Sequence, residues 1–187
     1  SGIYQIDKRS SNVSYFTPAS YAYENIRPDK YIRDIRKDSQ GNIWSGGFYN
    51  LKRINVHTKN IQLYHGLNSI TAILERDAKS MWIGRATGLF LLDKESGKYE
   101  RIKLPVESNY IYSLYQTKKG SLYIGTSGSG LLIYDPHTKL FTHYHTGNCA
   151  LISNNIYTLL SDTDEDILLS TENGLTSFYP NQKTFHN

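Results

Sequence analysis

The sequence predicts an all-β protein built of β-propeller blades, four four-stranded repeats preceded by a half-blade. Three observations carry this. A stretch of turn and strand residues recurs four times, the recurrence is about 40 residues long, and no segment holds helical periodicity over 11 or more residues.

The recurrence is clearest at its aromatic anchor. "KDSQGNIWSGG" places Trp44 just after a tight polar turn, and the same place is taken by Trp82, Tyr123 and then Leu168, at spacings of 38, 41 and 45 residues. Two residues further on stand Gly46, Gly84, Gly125 and Ser170. Asn50, Gly88, Gly130 and Gly174 follow, each succeeded by leucine (Leu51, Leu89, Leu131, Leu175). Twelve residues before each anchor is an isoleucine: Ile32, Ile70, Ile111 and Ile156.

Each copy reads as four short strands. A run such as "YIYSLY" leads through a polar turn into "SLYIG", then a Gly-containing turn, then "GLLIYD", then a last run such as "LFTHYH". Runs of four to six residues rich in Ile, Leu, Tyr and Trp, bounded by Gly, Asn, Asp or Ser, are hairpin-linked strands. Four such strands in about 40 residues make one propeller blade. The blades are expected at 29–66, 67–104, 108–146 and 153–187 within a single partial propeller spanning 1–187. Residues 1–16 match only the second half of the repeat, Asp7 aligning with Asp93 and Asp135. An incomplete ring, or an excerpt of a larger one, is therefore expected. The glycines are expected to supply positive φ at turns or to admit a neighbouring blade. Trp44 and Trp82 are expected to be apolar anchors between blades rather than stacking platforms for a ligand.

Composition narrows the function classes. The chain has 187 residues, 39% of them hydrophobic, with 16 tyrosines, 14 glycines and 5 prolines, which suits an ordered strand-rich protein. The net charge of +4 comes with no run of five basic residues, so nucleic acid is not an expected partner. The single cysteine, Cys149, forms no internal disulfide and has no Cys partner for a metal site. No apolar run of about 18 residues appears, and the chain opens on polar "SGIYQIDKRS" rather than on a signal peptide. An export signal or membrane anchor of the natural protein would lie outside this sequence. No cofactor is expected.

The pattern I-x-x-I-x-x-D-x-x-G-x-hydrophobic-W-x-G, then G-L and a late aspartate, resembles the two-component regulator propeller repeat. "IRDIRKDSQGNIWSGG" is the copy most like it, with Ser45 and Gly47 departing from the usual aliphatic and Thr. The second copy has Ala78, Lys79 and Ser80 where a Gly-containing turn is usual, and the fourth lacks both the aromatic and the next glycine. The resemblance implies a periplasmic sensor region of a hybrid two-component histidine kinase from Bacteroides-type bacteria. In that family seven-bladed propellers, usually two in tandem, precede an immunoglobulin-like domain, one membrane span and a cytoplasmic kinase with a response regulator. The implied role is recognition of an oligosaccharide, relayed to genes of glycan use. The implied partners are that ligand, the remaining blades and the signalling domains, with self-association through open blade edges.

In a propeller, the loops before strand one and between strands two and three share one face. Here the first set holds Asp29, Lys30 and Tyr31, Asn68 and Ser69, Asn109 and Tyr110, and Asn154 and Asn155. The second holds Phe48, Tyr49 and Asn50, Arg85 and Thr87, Ser127 and Ser129, and Glu172 and Asn173. Amides and hydroxyls beside aromatic rings suit sugar hydroxyls and C–H faces. The candidate ligand residues are Phe48, Tyr49, Arg85, Asn109, Tyr110, Asn154, Asn155, Glu172 and Asn173. Asn and Ser also serve as ordinary turn residues. Arg85 stands where the repeat wants a small polar residue, and meets either an acidic sugar or a neighbour. His143 and His145 in "HYH" have a spacing metals use, but on an outermost strand they read as a solvated edge. "NVS" at Asn12 fits a glycosylation acceptor.

Two other readings stand beside the sensor. D-x-x-G-x-x-W also resembles the Asp-box turn of sialidases, and other propellers are lyases. A sialidase- or lyase-like enzyme needs an arginine cluster or paired carboxylates, whereas this face offers only Asp29, Glu172 and Arg85. No catalytic residue is therefore assigned. The other reading is a protein-interaction or dimerisation propeller using exposed aromatics such as Phe48 and Tyr49.

Overall fold

The computed structural model describes residues 4–6, 8–10, 12–15, 31–161, 163 and 166–187. Its described residues form 18 strands and no helix, arranged as four four-stranded antiparallel sheets and one two-stranded ribbon. The fold is all-β and made of propeller blades, as the repeats predict. The chain divides into two compact units, residues 1–70 and 71–187.

The first unit holds the ribbon of β1 (Tyr4–Ile6) and β2 (Val13–Tyr15), paired Tyr4 to Tyr15. It also holds a sheet in the order β3 (Ile32–Lys37), β4 (Ile43–Gly47), β5 (Leu51–Ile54), β6 (Ile61–Tyr64). Asp38 closes the β3–β4 turn. Its Oδ1 accepts the Asn42 amide at 2.8 Å and its Oδ2 accepts Trp44 Nε1 at 2.8 Å. Gly41 takes φ +85°, a conformation that a side chain resists. The D-x-x-G-x-x-W spacing thus ties the turn to its own anchor, and Trp44 is fully buried against Tyr64, ring centroids 5.1 Å apart.

The second unit begins inside β7 (Ile70–Asp77), whose sheet continues through β8 (Ser80–Arg85), β9 (Gly88–Asp93) and β10 (Tyr99–Ile102). The next sheet runs β11 (Ile111–Gln116), β12 (Leu122–Thr126), β13 (Leu131–Asp135), β14 (Leu140–Tyr144). The last runs β15 (Ile156–Leu160), β16 (Ile167–Thr171), β17 (Gly174–Tyr179), β18 (Thr184–His186). Every sheet is a meander, so its four strands step outward from the first.

The cores lie between neighbouring sheets. Trp82, Leu89 and Leu104 pack with Ile111, Leu114 and Ile124, and Tyr123 and Leu131 pack with Ile156, Leu159 and Phe178. Trp82 makes an edge contact with Tyr134 of the next sheet, and its Nε1 donates to Gln116 Oε1 at 2.8 Å. Trp82 is therefore a buried anchor between sheets, as expected, whereas Trp44 is buried against Tyr64 of its own sheet. The fourth anchor departs from the pattern: Leu168 is 38% exposed and Leu175 61% exposed.

The glycine two residues past the anchor is what lets sheets meet. A Cβ on Gly84 would stand 2.8 Å from Ile111 Cγ2, and one on Gly125 would stand 2.9 Å from both the Cγ2 and the carbonyl oxygen of Ile156. Within the first unit, Gly46 meets Ile70 in the same way, at 2.6 Å. The repeated Gly and the repeated Ile are two halves of one contact.

A second regularity lies beside it. The pairing of first and second strands slips by one residue immediately after the isoleucine, at Arg33, Tyr112 and Tyr157. These are β-bulges, which leave one residue unpaired and re-aim its side chain.

The hairpins between third and fourth strands share a polar clasp. Asp93 Oδ1 accepts the Ser96 amide at 2.7 Å, Asp135 Oδ1 accepts the His137 amide at 2.8 Å, and Asn55 Oδ1 accepts the His57 amide at 3.0 Å. The amide bonds from Ser96 and from His137 hold the Asp93 and Asp135 carboxyls below their ordinary range.

Gly125→Ala is expected to destabilise the protein by about 1–3 kcal/mol, because backbone and a packed isoleucine both stand in the way. Ser170→Ala, at the same column in the fourth copy, is expected to change stability by less than about 0.5 kcal/mol. Chemical denaturation of both variants checks the contrast; equal losses would remove the glycine contact as its cause.

Candidate functional site

The loops singled out in the sequence do gather within each unit. In the first unit the Phe48 amide donates to the Tyr31 carbonyl at 3.3 Å, and Ser69 donates to the Phe48 carbonyl at 3.0 Å. Phe48 and Tyr49 meet edge to face at 5.0 Å, and Phe48, Tyr49 and Tyr31 are all exposed. This is an aromatic cluster at one end of the sheet. Asp29 and Lys30 lie outside the described residues.

In the second unit the loops are stitched more closely. Ser127 donates its amide to the Tyr110 carbonyl at 3.0 Å and its hydroxyl to Asn155 Oδ1 at 3.4 Å. Asn155 Nδ2 donates to Glu172 Oε2 at 2.7 Å, and the Glu172 amide donates to the Asn155 carbonyl at 3.1 Å. Gly130 donates to the Asn154 carbonyl of the next sheet at 2.9 Å. A polar chain Ser127–Asn155–Glu172 thus crosses from the third sheet to the fourth.

An aromatic row runs beside that chain. Tyr110 lies 4.9 Å from Tyr112, and Tyr112 lies 5.1 Å from Tyr157, ring centroid to centroid. Tyr112 and Tyr157 are the bulged residues, so the slip in pairing is what takes their rings out of the alternation of the strand. Tyr157 is 43% exposed. Tyr110 is legible as a loop residue, whereas Tyr112 and Tyr157 lie within β11 and β15. The column one past the repeated isoleucine (Arg33, Thr71, Tyr112, Tyr157) was the available signal.

Other candidates are committed to structure. Asn154 Oδ1 accepts the Thr146 amide at 2.9 Å, Asn109 Nδ2 donates to the Glu107 carbonyl at 2.9 Å, and Asn173 Nδ2 donates to the Ile152 carbonyl at 3.0 Å. Each amide keeps its opposite end for a ligand. Arg85 is buried, with its guanidinium 4.8 Å from the centre of the Phe90 ring. Burial lowers its pKa, the Arg101 charge adds to this, and Tyr99 opposes it.

His143 and His145 are not a plainly solvated edge. Both are half-buried, their rings 4.9 Å apart, and His143 Nε2 donates to the Ser129 carbonyl at 2.6 Å. Among the described residues no group of three or more His, Cys, Asp or Glu is placed to hold a metal ion.

Comparison with known proteins agrees with this architecture. The family model described as two component regulator propeller matches residues 26–49 and 105–128. No curated protein matches the chain by sequence. Among solved structures, the extracellular domain of BT4673 from B. thetaiotaomicron, described once as a one component system and once as a hybrid two component system, superposes with a TM-score of 0.76 at 24% identity. The match covers 94% of this chain and 24% of that one. The extracellular domain of BT3049 from the same organism, described as a hybrid two component system, gives a TM-score of 0.74 at 19% identity, covering 86% and 25%. Virginiamycin B lyase from Staphylococcus aureus gives 0.76 at 15% identity, covering 98% and 61%. At these identities the likeness establishes the fold. The chain spans about a quarter of the length of the two B. thetaiotaomicron domains.

Arg85→Ala is expected to lower stability by about 0.5–2 kcal/mol through the lost contact with Phe90. Thermal melts check this, and an unchanged melting temperature would show that the contact contributes nothing.

Proposed function

From a chain that carries two-component regulator propeller repeats, we propose that these blades recognise an oligosaccharide on the face formed by Tyr110, Tyr112 and Tyr157. One observation carries the reading: a row of three tyrosines, ring to ring, runs beside the polar chain Ser127–Asn155–Glu172. Aromatic faces cover the C–H face of a sugar, while hydroxyl, amide and carboxylate groups meet its hydroxyls. Asn109, Asn154 and Asn173 border the same loops. The Phe48–Tyr49 pair supplies a comparable aromatic surface in the first unit.

In this reading the chain senses and does not catalyse. Its output lies in a histidine kinase elsewhere in the parent protein, an inner-membrane protein whose propeller blades sit in the periplasm. Binding passes to the transcription of glycan-use genes through that kinase. Support comes from the family match and from the extracellular B. thetaiotaomicron domains of the same fold.

A protein-interaction role has one specific observation in its favour. Leu160, Leu168 and Leu175 are exposed on the fourth sheet, Leu160 directly paired with Leu168 across strands. This surface is compatible with a sensor that works as part of a larger assembly.

Calorimetric titration of the whole chain with neutral and acidic glycan oligosaccharides tests the proposal. One member is expected to bind, and Tyr157→Ala to weaken it about tenfold, equivalent to about 1.4 kcal/mol. Binding that is indifferent to Tyr157→Ala would move the site elsewhere. Chemical breakdown of a panel member would replace the sensor with an enzyme.

A further inference from the structure

Outward from the tyrosine row, the connection after β10 borders two hollows that adjoin each other. One, of about 550 Å³, is lined by Lys103 and Val106 together with Ser129, His143, His145 and Asn154. The other, of about 440 Å³, is lined by Arg101, Lys103, Leu104, Val106 and Asn109. They share Lys103, Leu104 and Val106, so they form one groove with a basic residue between its two lobes. Leu104 is buried and gives the groove an apolar floor.

Four side chains of the groove, Arg101, Lys103, Asn154 and His145, offer donors alone, beside acceptors on Glu107 and on Asn109, whose Nδ2 is spent on the Glu107 carbonyl. Arg101 is steadied by a bond from its Nη2 to the Thr87 carbonyl at 2.9 Å and has further N–H groups to offer. Lys103 has donors only. Asn154 turns its oxygen to the Thr146 amide, which leaves its NH₂ end for a ligand. His145 Nδ1 accepts the Gly147 amide at 3.1 Å, so its ring proton sits on Nε2. The single acidic side chain on the lining is Glu107. A neutral sugar hydroxyl needs both donors and acceptors, whereas a carboxylate or sulfate ester takes donors alone.

We infer that this groove holds the acidic group of an oligosaccharide, a uronate carboxylate or a sulfate ester, between Lys103, Arg101 and the Nε2 donor of His145, while His143 is spent on the Ser129 carbonyl. The inference rests on the carbohydrate reading above and adds to it the charge of the ligand. The two lobes, of about 550 and 440 Å³, have room for more than one sugar ring, and the apolar floor suits a ring face. These features separate an acidic oligosaccharide from a free inorganic anion.

The test is calorimetric titration of the whole chain with trigalacturonate, its neutral methyl ester and κ-carrageenan tetraose, which carries sulfate without uronate. The expected result is that at least one acidic probe binds ten or more times more tightly than the ester. Lys103→Gln, at an exposed position, is expected to abolish that preference while the melting temperature stays unchanged. Tyr157→Ala is expected to weaken acidic and neutral binding alike. Which acidic probe binds identifies the charged group. Equal binding of trigalacturonate and its ester without carrageenan binding, or an acidic preference that survives Lys103→Gln, would overturn the inference and leave the carbohydrate reading standing. Binding of a neutral glycan oligosaccharide alone would do the same. Binding of no carbohydrate at all would overturn both.

Discussion

A glycine in the second strand of one sheet presses its bare backbone against an isoleucine that opens the next sheet. At Gly84 the isoleucine is Ile111, and at Gly125 it is Ile156. In both places a single added carbon would fall under 3.0 Å from its neighbour. Close packing leaves no slack for it, so the distance between sheets in the second unit is fixed by the absence of a side chain. The anchors flank this contact: Trp82 and Tyr123 are buried because the backbone beside them comes close enough to cover them. The contact recurs because one strand-turn-strand unit cannot bury its own apolar face and must lend it to the next.

The face with the tyrosine row follows from the same contact. The isoleucine and the bulged residue are neighbours in sequence, so fixing Ile111 and Ile156 also fixes Tyr112 and Tyr157. A bulge weakens the ladder by leaving a residue unpaired, and in exchange it directs a side chain away from the regular alternation. The two loops at that end are then close enough for Ser127 to reach Asn155 and for Gly130 to reach the Asn154 carbonyl. Sheet packing, a local defect in pairing and a polar chain across two sheets therefore assemble one aromatic and polar surface. No single loop of this protein holds it alone.

What the sequence made legible was whatever repeats. The anchor, the glycine, the leucine and the isoleucine form columns; in the first three copies the anchor and the leucine are buried, and in the fourth both are exposed. That these loops meet within each unit is legible in the repeats, but the use of their amides is not. Asn154 and Asn173 each spend one end on a backbone group 8 and 21 residues away, whereas Asn109 spends its Nδ2 on the Glu107 carbonyl two residues back. Tyr112 and Tyr157 are hard to read because a strand residue is ordinarily assigned a face by alternation, and only their place one past the repeated isoleucine marks the bulge that breaks it. Arg85 was visible as an exception to its column. Its partner Phe90 lies across a hairpin, so what it stacks on depends on side-chain direction rather than on spacing. His143 and His145 were visible as a pair, whereas the facing wall at 103–107 comes from an aperiodic connection.

The central claim is that the repeated glycine and the repeated isoleucine act as one contact between sheets. The direct measurement is a double-mutant cycle on Gly84→Ala and Ile111→Ala, read as unfolding free energy. Removing the isoleucine side chain makes room for the added methyl, so the double variant should be less destabilised than the two single losses summed, by at least about 1 kcal/mol. Losses that add to within about 0.5 kcal/mol would contradict the account and leave the two columns as independent features of the fold.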